Sequence, residues 1–107
     1  MEPLLVLTNL PDQAAAEKLA HALVEARAAA CVNVLATCRS IYRWQGAVET
    51  ADEVPLLIKT TAANYPQLEA IVSTHHPYDV PELIAIPITH GLPAYLEWLA
   101  KETEKHD

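Results

Sequence analysis

The chain has 107 residues and a mass of 11.7 kDa, so residues 1–107 read as a single domain. It is 51% hydrophobic and 20% charged, which excludes a disordered chain. Fourteen acidic residues against seven basic ones exclude nucleic acid and an anionic membrane as main partners, because both recruit clustered Lys and Arg.

Leu4-Leu5-Val6-Leu7, closed by Asn9-Leu10-Pro11-Asp12, reads as a short strand apolar on both faces. Asp12 then stands where a helix N-cap belongs. From there to Ala30 the pattern is helical, with Ala16, Leu19, Ala20, Leu23 and Ala30 on one stripe. The period changes at Cys31. A long strand to Trp44 would place Val32, Val34, Ala36, Cys38, Ser40, Tyr42 and Trp44 on one face. Gln45-Gly46 is the turn, and a second extended segment runs from about Val48 to Thr61, making a long-armed hairpin. Pro55 has no amide donor and predicts an edge position or a bulge.

Asn64 predicts the cap of a second helix whose inward stripe is Leu68, Ile71, Val72 and His75, ended by Pro77. Leu83 to Thr89 reads as another strand. Leu92-Pro93 opens a last helix with Tyr95, Leu96 and Leu99 inward and Trp98 beside them. Lys105-His106-Asp107 is expected to fray.

The order is βαββαβ plus a C-terminal helix. It predicts an α+β fold, an antiparallel split-βαβ sheet with the two main helices on one face. Two helices cover only one face, while the strands are apolar on both. The second face predicts a partner, and a second copy of the chain is the simplest one.

Cys31 and Cys38 are too few for a disulfide scaffold and too widely spaced for a CxxC motif. On one regular strand their odd spacing points them to opposite faces. Met1-Glu2-Pro3 lacks the positive region of a signal peptide, and no apolar stretch approaches 18 residues. These features predict a cytoplasmic protein with reduced thiols.

Five segments then fall into a known pattern. They are Tyr42-Arg43-Trp44-Gln45-Gly46, Leu57-Ile58-Lys59-Thr60-Thr61, the run His75-His76-Pro77-Tyr78-Asp79-Val80-Pro81-Glu82-Leu83, Tyr95-Leu96-Glu97-Trp98-Leu99, and Ala28-Ala29-Ala30-Cys31. With Pro11-Asp12, they resemble the CutA divalent-cation tolerance family over about Leu5 to Leu99. The resemblance implies ferredoxin-like subunits assembled as a homotrimer through long hairpins, with a role in tolerance of copper and other divalent metals. It also implies a metal site at His75 and His76, joined by a cysteine near the end of the first strand. Here the matching position is Thr8. A hydroxyl is a poor ligand for Cu(I), which soft thiolate selects; imidazole and carboxylate suit Cu(II), and after it Zn(II).

Taken without the resemblance, the helical pattern makes His75 a core residue and His76 a surface residue. Adjacent helical positions diverge by about 100°, so chelation by both needs the helix to unwind, which Pro77 favours. Glu82 is a third ligand or the carboxylate that fixes a histidine tautomer. Tyr42, Trp44, Tyr78, Tyr95 and Trp98 are packing residues or the wall of a pocket between subunits. Lys59, inside an apolar strand, calls for a carboxylate such as Glu82 or Glu49.

Three functional classes follow. The first is a non-enzymatic metal-tolerance trimer that needs no cofactor. The second is a small-molecule sensor like the nitrogen-regulatory PII trimers, with ligand sites between subunits. The third is an acid–base enzyme using His75, Glu82 and Lys59. Neither cysteine has a histidine near it in sequence, so no paired nucleophile supports the third, and the reading is not an enzyme.

Overall fold

The computed structural model describes residues 1–105; of the end expected to fray, His106 and Asp107 lie outside them, while Lys105 is tied down, its ammonium donating to the carbonyls of Ala26 and Arg27 at 3.3 and 3.0 Å. The chain begins with β1 (Pro3–Leu10) and α1 (Gln13–Glu25). An interrupted arm, β2 (Cys31–Val34) and β3 (Cys38–Trp44), then returns through β4 (Ala47–Thr61). A short 3-10 turn leads into α2 (Tyr65–His75), β5 (Leu83–Pro87) and α3 (Pro93–Glu102). All pairings are antiparallel, in the order β2-β4-β1-β5, with β3 on the far half of β4.

α1 and α2 cover one face of this sheet. Leu19, Leu23, Leu68 and Val72 meet Val6, Leu10, Val54, Leu56 and Ile58, all fully buried. Asp12 caps α1 as expected, accepting from the Ala15 amide at 2.8 Å. The helix stops at Glu25 rather than Ala30. Arg27 adopts φ 59°, and the amides of Arg27 and Ala28 return to the carbonyls of Val24 and Leu23 at 3.1 and 3.0 Å. That is a Schellman closure with arginine where glycine is usual. Thr60 Oγ1 donates to the Ala28 carbonyl at 2.6 Å and the Ala30 amide to Lys59 O at 2.9 Å, tying the closure to β4.

Asn64 does not cap α2 through its side chain, which instead donates to Thr61 Oγ1 at 2.7 Å. β5 ends at Pro87, two residues before the predicted end. The hairpin turn is as expected: Gln45 at φ 48° and Gly46 at φ 83° form the two-residue turn that matches strand twist.

The predicted single arm from Cys31 to Trp44 is broken at residues 35–37. Val34 pairs with Leu56 and Cys38 with Glu53, so four steps on one strand oppose three on the other. This bulge lies beside Pro55, whose carbonyl accepts the Leu35 amide at 3.0 Å but which has no amide to give back. The extra residue reverses the alternation. Cys38, Ser40, Tyr42 and Trp44 join Cys31 and Asn33 on the face away from α1 and α2, not the face of Val32 and Val34. Both cysteines therefore share a face and are free. Their partners on β4 are Lys59 and Glu53, about 20 Å apart along the strand, beyond disulfide reach.

The second sheet face is not bare. α3 packs on β1 and β4 at one end, with Tyr95 beside Cys31. Beyond it, Ile84 and Ile86 stay 50% and 47% exposed, next to half-buried Leu5, Leu7 and Leu57.

Candidate functional site

Pro77 decides the fate of the two histidines. The residue before a proline avoids helical geometry, and His76 takes φ −78°, ψ 133°, so α2 ends at His75. This reverses the sequence expectation of a core His75 and a surface His76: His75 is exposed and His76 is buried, 7% accessible. His75 Nδ1 bonds the Ile71 carbonyl at 2.9 Å, one turn back in its own helix. His76 Nε2 donates to Asn9 O at 2.6 Å, and its Nδ1 accepts the Tyr78 amide at 3.2 Å. A carbonyl only accepts and an amide only donates, so these bonds fix the neutral Nε2–H tautomer and occupy both ring nitrogens.

Residues 76–82 are stitched to the end of β1 at further points. Thr8, fully buried, donates from Oγ1 to Glu82 O at 2.6 Å. Asn9 Nδ2 donates to Glu82 Oε1 at 3.3 Å. The Tyr78 ring lies 4.8 Å from the His76 ring, and its hydroxyl donates to Glu53 Oε2 at 3.3 Å. Burial raises the Tyr78 phenol above its usual range, and the Glu53 charge and hydrogen bond raise it further.

Between this segment and the hairpin lies a cleft of about 640 Å³, walled by Asn9, Tyr42, Trp44, Glu53, Tyr78 and Glu82. The bulge builds it. Without the extra residue Tyr42 and Trp44 would face the other way. Of the five aromatic residues singled out in the sequence, these two and Tyr78 share the cleft. Tyr95 and Trp98 pair with each other on α3, ring centroids 5.6 Å apart. Burial raises the Tyr95 phenol, with Cys31 adding to it.

Glu53 shares the strand parity of Leu57 and Lys59, but in the sequence it is one of the acidic pair Asp52-Glu53 that precedes the apolar run from Val54, so nothing there marks it as buried. Lys59 meets neither expected carboxylate. Its ammonium donates to Asn33 Oδ1, while Glu82 lies at the end of β1 and Glu49 pairs with Tyr42 toward the hairpin tip. The described ion pairs are Arg27–Glu102 and Arg39–Asp52, at 3.8 and 3.7 Å. His75, Glu82 and Lys59, the acid–base set, are thus bonded separately to Ile71, Asn9 and Asn33.

The donor set within one protomer does not fit a resident metal. His76 has no free nitrogen, Thr8 spends its proton on Glu82 O, and His75 points to solvent. Among the described residues, no three His, Cys, Asp or Glu side chains are grouped to hold an ion. Nor is any described helix long and apolar enough to cross a membrane.

The sequence model of the CutA1 divalent ion tolerance protein matches residues 4–102. A divalent-cation tolerance protein CutA of Thermus thermophilus is 48% identical over 98 residues, covering 92% of this chain and 95% of that protein. Mouse protein CutA is 44% identical over 94 residues, 88% of this chain, which spans 53% of the mouse protein. The solved structure of a Thermus thermophilus divalent cation tolerance protein (Cut A1) superposes with a TM-score of 0.94 at 46% identity. It covers 95% of this chain and 99% of its own. Identity at this level over nearly the whole fold settles the relationship: the chain belongs to the CutA1 divalent ion tolerance family.

Proposed function

We propose that this protein acts in divalent-cation tolerance as a cytoplasmic homotrimer of ferredoxin-like subunits, without catalysis and without a required cofactor. The observation that carries this reading is the family match across residues 4–102. The trimer is supported by the part of the second sheet face that α3 leaves open, where Ile84 and Ile86 stand beside Leu7 and Leu57. The two free thiols support a reducing compartment.

Metal contact in this reading is weak and falls to His75, the exposed imidazole. His76 and Glu82 hold the segment in place rather than ligate. Cu(II) suits the site better than Zn(II), following the usual order of affinities. Light scattering at micromolar concentration should give about 35 kDa, three times 11.7 kDa. Calorimetric titration should then show Cu(II) binding that weakens in His75→Ala. A folded monomer would end the assembly reading, and unchanged Cu(II) affinity in that variant would end the assignment to His75.

The cleft supports a second reading, a small-molecule sensing trimer of the PII kind. Its volume falls within the usual range for small-ligand sites, and polar groups converge on aromatic walls there.

A further inference from the structure

Glu53 is more than nine-tenths buried. Its carboxylate is not sealed off, however: Oε1 has no protein partner and still meets solvent, so it opens onto the cleft that Glu53 lines. Its one hydrogen bond comes from the Tyr78 hydroxyl, at 3.3 Å on Oε2. Among the described residues no Lys, Arg or His lies within ion-pair distance of it, and Oε1 accepts no hydrogen bond from the protein.

The rest of the cleft has the same sign. Asp79 and Glu82 line it with Glu53, and no basic side chain does. Tyr42 and Trp44 form its aromatic wall, each about half exposed. Three carboxylates repel a phosphate or any other anion. They are not grouped closely enough to chelate a bare metal ion. What matches them is a positive charge that needs one carboxylate and is carried on a body that packs against rings.

We propose that the cleft between the hairpin and residues 78–82 binds a small organic cation, an amine or guanidinium on an aromatic or hydrocarbon body. The charged head reaches Glu53, and the body lies against Tyr42 and Trp44. Tyr78 positions the carboxylate, and the bonds from His76 and Thr8 hold that wall of the cleft. The inference rests on the ligand-sensing reading above and names the chemical class for it. The Tyr78 phenol is raised first by its burial and then by the Glu53 charge beside it.

The test uses the full-length protein in its native assembly and three probes of one shape: phenethylamine, 2-phenylethanol and phenylacetate. Calorimetry should show saturable binding of the amine, one per chain, with the alcohol and the acid at least tenfold weaker. Glu53→Gln should weaken the amine at least tenfold. In the unmutated protein the indole N–H resonance of Trp44 should shift with the amine while that of Trp98 stays put, which decides the matter even if the variant does not fold. Equal binding of the amine by folded Glu53→Gln, or a shift at Trp98 alone, overturns the proposal. Binding of phenylacetate in place of the amine overturns it too, but leaves the sensing reading standing. If no probe binds and Glu53→Gln changes the mass of the assembly, another copy fills the cleft and both readings fail.

Discussion

Replacing His76 with alanine separates the two histidines more sharply than any other change. Both ring nitrogens of His76 are engaged, to Asn9 O at 2.6 Å and from the Tyr78 amide at 3.2 Å. Removing the ring strands both partners beside a new cavity, and a stranded buried polar group costs about 1–3 kcal/mol. The lost contact with the Tyr78 ring adds to this, for a total of about 2–4 kcal/mol. His75→Ala loses an exposed ring bonded only within its own helix, which should cost less than about 0.5 kcal/mol. Urea unfolding of both variants at one protein concentration measures the difference. Equal costs, or a loss below about 0.5 kcal/mol for His76→Ala, would refute the assignment of His76 as the bolt between β1 and the cleft.

Tyr78 should show itself in alkali. Its phenol is raised in the folded protein by burial and by Glu53. A raised group contributes stability fully below its unfolded value, about pH 10, and loses it as pH rises through the folded value. The stability difference between the wild type and Tyr78→Phe, from urea midpoints, should therefore hold steady from neutral pH to about 9 and shrink above 10; a gap that widens there contradicts the geometry. Cys31 and Cys38 share a face but stand about 20 Å apart, so thiol titration in denaturant without reductant should find two thiols per chain. Finding fewer would mean a bond between chains.

What the sequence made legible is what a few neighbouring residues decide. Asp12 caps its helix and Gln45-Gly46 turns the hairpin because each needs only its own backbone. The end of α1 was hidden because Ala26 to Ala30 contains no glycine or proline. Arg27 takes the left-handed position under tertiary ties, from Thr60 to Ala28 O and from its own guanidinium to Glu102 O at 3.2 Å. The helical stripe places the two histidines the wrong way round because it fails in its last turn, where His76 is already extended. Which carboxylate sits in the cleft was beyond reach for a different reason. Glu53 and Tyr78 are separated by 25 residues, and only the closed sheet brings them together.

The bulge beside Pro55 joins these observations. A regular arm from Cys31 to Trp44 would have put Tyr42 and Trp44 on the side of α1 and α2, and Glu53 would have faced a different strand surface. Proline offers β4 no donor at the point where β2 runs out, so an extra residue there costs the ladder little. Its consequence is a reversal of every side chain that follows on β3. The hairpin arm thereby turns Tyr42 and Trp44, toward its tip, to the face that carries Glu53 and to the cleft shared with the segment that His76 anchors. One unpaired residue therefore does two things at once. It leaves apolar hairpin positions such as Ile41 and Val48 exposed, and it sets Tyr42 and Trp44 in one wall of an acidic, aromatic cleft. The exposed apolar arm and the candidate ligand site thus depend on the same irregularity, so a change at residues 35–37 that restores regular pairing should disturb both together.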